Sequence, residues 1–459
     1  MKSFTICWKH RSTVRRWLSP IVLGVTLAHS VTAQQNPLPL TLDQVIDLAL
    51  KQNRAVRLRS LAVDDMRSKK DEARSNYMPQ MKASGSLLHV TDLLNIEIPA
   101  GAFGKPPATG PIPSEPVRIG QGSLTTYSGG VGLDQPFTQL FRIHQANVAA
   151  KQDLLTARTQ LDQTQDDVAL QARQLYYSIL INQQELEASR DQLAAAQVKD
   201  AEAQRDVEHG SALDIAAIQS KASILEKQQK SLTLKLQGED LERQLANLLG
   251  LPVDAKVLLD STLPASAADI PSRGDAVHLA LNENQDIQIA RQTLEKAKAQ
   301  LAAAKDAYIP DVTGLSRYSY QSGVAFLVHN FGTFGLTLSY DLFDGGRREA
   351  QVRDARTGVQ SAQVTVNKLE SDVTVQVQAA YDRLEEAKEM VSVAEQSLEV
   401  RTEALRLIDR QLEQNAALTS VRSQAHADLS NATASLLEAR LNLSLAEEDI
   451  KRTIGRMPR

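Results

Sequence analysis

The chain has 459 residues, 42% of them hydrophobic but only 4% aromatic, and a mean hydropathy of −0.28. That composition is thin for one compact core of this size and suits extended helices that bury a narrow stripe. The formal net charge is −4, and it becomes −9 once residues 1–33 are removed, which argues against nucleic-acid binding; a single cysteine, Cys7, argues against a disulfide scaffold.

Residues 1–33 read as a secretory signal. Lys2, Lys9, Arg11, Arg15 and Arg16 form a basic start, IVLGVTLA an apolar centre, and Val31 and Ala33 the −3 and −1 positions before cleavage ahead of Gln34. The apolar run is too short to span a bilayer comfortably. Arg15-Arg16 hints at twin-arginine export, but a chain that later inserts in a membrane should travel unfolded, which favours the general route. Cleavage removes five of the 51 basic residues, none of the 55 acidic ones and Cys7, taking the net charge from −4 to −9.

The rest repeats one plan. Residues 47–60 align with 278–291 at an offset of 231, and Tyr77-Met78-Pro79 then meets Tyr308-Ile309-Pro310. Gly210–Gly250 aligns with Asn415–Gly455 at an offset of 205. The first repeat covers 34–250, a linker 251–271, and the second repeat 272–455, each ordered helix, strand, loop, strand, long helix, turn, helix.

The first helix of each repeat is expected over Thr41–Tyr77 and Arg273–Tyr308, ended by Pro79 and Pro310. Strands are expected near 80–90, 125–136, 311–321 and 332–343. In the last of these Phe334, Leu336, Leu338, Tyr340 and Leu342 alternate with Gly335, Thr337, Ser339 and Asp341. Alternation over about ten residues is the pattern of a transmembrane β-barrel strand, with the first set facing lipid. Tyr77, Tyr308 and Tyr340 near strand ends suit a membrane interface. Segment 91–125, containing GKPPATGPIPSEP, is too rich in proline for helix or central strand and is expected as a cell-surface loop.

Very long helices follow the strands, about Ile143–Glu208 and Arg347–Gln414. The second would be a rod of about 100 Å. Apolar residues recur every seven positions (Leu161, Val168, Leu175; Ile179, Leu186, Leu193; Leu429, Leu436, Leu443, Ile450), which is the spacing of a coiled-coil seam. Four strands cannot close a barrel, and open edges in lipid leave backbone groups unpaired. Copies must therefore pool their strands, and three copies give twelve strands and a lumen. The fold class expected is mainly α with a small transmembrane β part, a helical coiled-coil barrel continuous with a shared β-barrel.

The duplicated Tyr-x-Pro, the junctions Leu133-Asp134-Gln135-Pro136-Phe137 and Tyr340-Asp341-Leu342-Phe343-Asp344-Gly345-Gly346-Arg347, and the turn Gly210-Ser211-Ala212-Leu213-Asp214-Ile215 resemble the TolC-type outer-membrane efflux proteins. The resemblance covers Gln34 to about Arg456. It implies a homotrimeric channel-tunnel in the outer membrane, with most of the chain in the periplasm. It also implies docking on a periplasmic adaptor and an inner-membrane pump, serving efflux or type I secretion without chemistry of its own. The periplasmic entrance would then lie at the hairpin tips, around Asp206, Glu208, Gly210, Leu213, Asp214, Asn415, Leu418, Thr419 and Arg422. The strand–helix junctions would be Pro79, Pro136, Pro310, Gly345 and Gly346. The family's best-known member narrows its mouth with two aspartates three apart; the corresponding positions here are Thr419 and Arg422, and in the first repeat Asp214 and Ala217. The charges at the tips, Glu413 among them, read equally well as solvated helix ends.

Catalytic, cofactor and metal signatures are missing from the sequence. The six histidines after residue 33 form no HxxxH pair, and no P-loop, GxSxG or CxxC occurs. Asp344-Gly345-Gly346 reads as a turn with Asp344 capping the following helix. The rival reading is a periplasmic adaptor or coiled-coil scaffold of an export complex, against which the two strand-bearing repeats argue.

Overall fold

A computed structural model describes residues 40–455 apart from 94, 121, 253, 254, 256, 261–269, 325–327 and 415. The expected signal segment 1–33 and Asn415 lie outside the described residues. The elements come in the order α1 (Leu42–Gln52), α2 (Arg54–Ser75), β1 (Gln80–His89), β2 (Asn95–Ile98), β3 (Val117–Gly120), β4 (Gly122–Pro136), α3 (Leu140–Glu208) and α4 (Asp214–Leu248). A second set follows: α5 (Arg273–Glu283), α6 (Gln285–Asp306), β5 (Asp311–Val324), β6 (Asn330–Ser339), α7 (Arg347–Glu413) and α8 (Thr419–Ile454).

The expected first helix of each repeat is two helices in the structure. Asn53 and Asn284 sit at the breaks with ψ of 130°, and each closes one helix while capping the next. The Asn53 Oδ1 accepts from the Ala55 and Val56 amides, and its Nδ2 donates to the Leu248 carbonyl at 3.0 Å. Asn284 repeats this with Asp286, Ile287 and the Thr453 carbonyl at 2.9 Å. Glycines finish the joint. Gly250 (φ +69°) and Gly455 (φ +88°) lie against the Gln52 and Glu283 carbonyls, so a Cβ would come within 2.9 and 2.5 Å of them. Side-chain capping is what makes such a break tolerable in a segment without proline.

The two principal cores lie around these joints and are copies. Val45, Ala49, Val56, Val168, Ala172, Tyr176, Leu245 and Leu249 fill the first. Ala276, Ala280, Ile287, Val373, Val377, Tyr381, Ile450 and Ile454 fill the aligned positions of the second. The buried tyrosines each clip the inter-repeat linker, Tyr176 donating to the Asp260 carbonyl and Tyr381 to that of Pro271. Burial also pushes the neighbouring Tyr177 phenol up to about 12.

Beyond the joints the helices pair as α3–α4 and α7–α8 hairpins, and α3 also packs on α6 and α8, so the repeats are interleaved. Cross-links there include Arg452 to Asp167 at 2.7 Å and Lys296 to Asp153 at 2.7 Å. The heptad leucines are only part of the packing. Along α8 the buried positions are mostly alanines (Ala425, Ala427, Ala432, Ala434, Ala439), which allow closer helix approach than a leucine seam.

Candidate functional site

Strands β1, β4, β5 and β6 form one antiparallel sheet in the order β1-β4-β5-β6, while β2 and β3 pair as a small ribbon within the expected loop. That loop is therefore more ordered than its prolines suggest: beyond the ribbon, Gly101 and Phe103 donate to the Pro113 and Ile112 carbonyls at 2.9 Å. Strands β4 and β5 begin or end about three residues outside the expected bounds. Strand β6 ends at Ser339, four residues before the expected end.

Register sorts the side chains of the sheet, because directly opposed residues share a face. Met81 opposes Leu133, Ala83 opposes Val131 and Leu87 opposes Tyr127. Val131 in turn opposes Tyr318, and Val312 and Ser316 oppose Leu338 and Phe334. One face thus collects Met81, Leu87, Tyr127, Val131, Leu133, Tyr318, Tyr320, Phe334, Leu336 and Leu338 with no Asp, Glu, Lys or Arg. All ten are exposed, Phe334 at 88% and Leu336 at 73%. The opposite face carries Lys82, Ser84, Ser86, Thr126, Ser128, Asp134, Arg317, Ser319, Thr333 and Thr337, with Leu88, Leu315 and Phe331 among them. An apolar face left open on a soluble chain calls for a covering phase. Among the described residues no helix is long and apolar enough to cross a membrane.

Tyr340 and Leu342 do not extend this apolar row as expected, since both lie past the end of β6. The reason is Arg348 on the first turn of α7. Its guanidinium lies 4.7 Å from the Tyr340 ring centroid and 5.5 Å from that of Tyr308, and it donates to Asp344 at 2.7 Å and to the Asp341 carbonyl. These contacts pull residues 340–344 out of the ladder and against the end of α6. Asp344 caps α7 as expected, accepting from the Gly346 and Arg348 amides at 3.0 and 3.1 Å. Gly345 and Gly346 take φ of +69° and +83°, a turn that L side chains rarely adopt. Hydrogen bonds from Arg348 and from those amides hold the Asp344 carboxyl below the usual carboxylate range.

The first junction solves the same problem differently. Strand β4 runs to Pro136, and Thr138 stitches the turn to the second repeat. Its hydroxyl donates to the Pro310 carbonyl at 2.7 Å and accepts from the Val312 amide at 2.8 Å. Arg142 on α3 pairs with Asp311. Tyr77, just before Pro79, bonds His144 through its hydroxyl at 3.2 Å.

At the far ends of the long helices lie the two tips. The first turns at Gly210 (φ +69°), where the Ser211 and Ala212 amides donate to the Asp206 carbonyl. Glu208 ends α3, Asp214 begins α4, and Leu213 stands 78% exposed. In the second tip Leu418 precedes α8, Thr419 begins it, and Arg422 pairs with Asp409 at 2.7 Å. Neither Leu213 nor Leu418 supplies a side-chain cap. For α8 the cap comes from the first repeat: Glu202 of α3 accepts from the Ser420 amide at 3.0 Å. Asp191, also on α3, accepts from the Ser430 hydroxyl at 2.5 Å and lies 3.8 Å from His426.

The model of the family described as outer membrane efflux protein matches residues 45–251 and 276–456, one segment per repeat and most of the chain. The chain belongs to the outer membrane efflux protein family. Among curated relatives of this efflux family, the outer membrane efflux protein BepC of Brucella suis biovar 1 is 28% identical over 207 residues. That match spans 45% of this chain and 45% of BepC, somewhat under half the relative's length. Among solved structures, the Campylobacter jejuni CmeC outer membrane channel superposes with a TM-score of 0.74 at 14% identity, covering 90% of this chain and 85% of that one. The Vibrio cholerae outer membrane protein VceC gives 0.71 at 18% identity, covering 90% and 96%. At these identities the structural likeness establishes the fold, which is that of the TolC-like channels expected from the sequence.

Several residues that organise this efflux-family site carry no local signal. Glu202 is one acidic residue among many on α3, and its partner is 218 positions away. Thr138 and Arg348 likewise gain their roles from residues of other elements. Only the matched Asn53 and Asn284 could have been found, since they occupy the same position in the two aligned segments.

Proposed function

We propose that the chain is the passive exit duct of a tripartite efflux or type I secretion system, a homotrimer whose β-strands cross the outer membrane and whose hairpins extend through the periplasm. The observation that carries this reading is the register-sorted sheet, with ten exposed apolar side chains on one face and all four of its charged side chains, Lys82, Asp134, Asp311 and Arg317, on the other. Its outer strands, β1 and β6, also have unpaired edges. Closing twelve strands from three chains pairs every edge and leaves a polar lumen. The apolar face, Phe334, Leu336 and Leu338 included, meets lipid, and Arg348, Thr138 and the Gly345-Gly346 turn join barrel to coil at the periplasmic boundary.

The tips form the periplasmic entrance and the docking end for an adaptor. Leu213 and Leu418 offer apolar contact points, and Glu202, Asp409 and Arg422 set how the second tip is held. Cargo is moved by an inner-membrane pump, not by chemistry in this chain.

Paired substitutions in the sheet test the reading. Leu336→Arg places a cation on the lipid face at a cost of about 2–4 kcal/mol near a bilayer midplane, whereas Thr337→Arg faces the bore and should assemble almost normally. The readout is the trimer recovered from outer-membrane extracts. Equal recovery of both variants would count against the assignment of faces.

A further inference from the structure

Two basic residues on the polar face of the sheet stand in one register row. Lys82 of β1 opposes Gly132 of β4, and Gly132 opposes Arg317 of β5. The backbones at Lys82 and Arg317 are thus two strand spacings apart, about 10 Å. The strand between them puts no side chain of its own in that row, and the Arg317 side chain crosses it. Gly132 leaves its position open, and a Cβ at the neighbouring Gly130 would come within 2.6 Å of the Tyr318 carbonyl. Arg317 is held in place, its Nη2 donating to the Ser84 hydroxyl at 3.0 Å. Neither cation makes an ion pair among the described residues. Asp134, the adjacent acid on this face, opposes Gln80 and Leu315, two residues along β4 from the row. Asp311 at the start of β5 is engaged by Arg142. Toward the other end of the sheet this face carries hydroxyls and an amide (Ser84, Ser86, Thr126, Ser128, Ser319, Gln321) beside Leu88 and Phe331, and no acid.

Resting on the duct reading above, we propose that Lys82 and Arg317 form a cationic band in the bore that binds multiply anionic solutes and favours them as cargo. Three copies place six such cations around one narrow passage with low-dielectric walls. Like charges in that setting reinforce one another and raise the local anion concentration. Because Arg317 reaches over the glycines of β4 to Ser84, two residues from Lys82 on β1, one anion can touch both cations, as a phosphorylated or polysulfonated solute would.

The test is single-channel recording of the purified full-length protein in planar bilayers, with inorganic tripolyphosphate added to either side. The wild type should show current block that weakens as KCl is raised from about 0.1 to 1 M, since screening shortens from about 10 to 3 Å. In Lys82→Gln/Arg317→Gln the half-blocking concentration should rise at least about ten-fold. Lys105→Gln, in the loop beyond the ribbon, should leave it unchanged. If the double variant does not insert, Lys82→Gln alone should still shift block about three-fold. A conducting wild type that tripolyphosphate does not block, or a variant blocked equally, overturns the band and leaves the duct standing. A purified wild type that forms no pore at all removes the duct reading, and the band with it.

Discussion

The α3–α4 and α7–α8 hairpins are nearly equal in length and share their core positions at the joints, yet they are cross-linked by different chemistry. Along the first, the described links are hydrogen bonds: Asn182 to the Leu234 carbonyl at 3.1 Å, Lys227 to Gln192 at 3.3 Å, and Ser220 to Asp200. Along the second they are arginine–carboxylate pairs: Arg383–Asp449, Arg440–Glu395, Arg401–Asp428 and Arg422–Asp409, all between 2.7 and 3.1 Å. These pairs are largely solvated, so each contributes only about 0.2–1 kcal/mol and is screened by salt. The joints, packed on the middles of α3 and α7, are duplicated, and the helix pairs between them and the tips have diverged. In a duct this leaves a fixed collar and one hairpin whose cohesion depends on ions and on the α3 carboxylates Glu202 and Asp191.

The collar offers the largest effect. Asn53→Ala and Asn284→Ala each remove a cap and a buried bond between helices, a loss of about 1–3 kcal/mol. Denaturant titration of the detergent-extracted protein should give matching losses for the two. A difference above about 1 kcal/mol would mean the joints are not equivalent.

The first hairpin comes next. A Cβ on Gly238 would lie 2.5 Å from the Asn182 Oδ1. Gly238→Ala should therefore push Asn182 off its carbonyl at a cost of about 1 kcal/mol. Gly238→Ala in an Asn182→Ala background should cost less, which a double-mutant cycle would reveal.

Salt gives a smaller, distributed effect. In about 1 M NaCl, where screening falls to about 3 Å, hydrogen exchange should quicken along α7–α8 while α3–α4 changes little. Equal quickening in both would erase the proposed contrast. At the second junction the expected effect is pH-linked. The folded Asp344 carboxyl is held below its unfolded value of about 4, so its contribution is complete above that pH and is lost as pH falls through the lower, folded value. Limited proteolysis around 340–350 should accelerate on acidification in the wild type, and Asp344→Asn should be fast at every pH.

Periodicity made the strand pairs, the long helices and the duplication legible, because each is a pattern repeated over many residues of one segment. What escaped depends on contacts that a periodic pattern does not encode, most of them between residues far apart in the chain. An asparagine in an unbroken helical pattern does not announce a break; the Leu248 carbonyl, 195 positions from Asn53, decides it. Strand β6 reads as running to residue 343 because Tyr340 and Leu342 keep the alternation. It stops at Ser339 because Arg348 takes Tyr340 and the Asp341 carbonyl out of the ladder. Gly210 marks the first tip in the sequence, while the Glu202 cap on α8 is a contact between repeats that no local pattern encodes.

Outer membranes extracted in mild detergent, with the mass of the purified particle then measured, test the duct most directly. A three-chain particle of about 140 kDa of protein, residues 1–33 having been removed, obtained only with detergent and conducting in bilayers, is the result expected for a barrel of pooled strands. A monomer recovered from the soluble periplasm would contradict it.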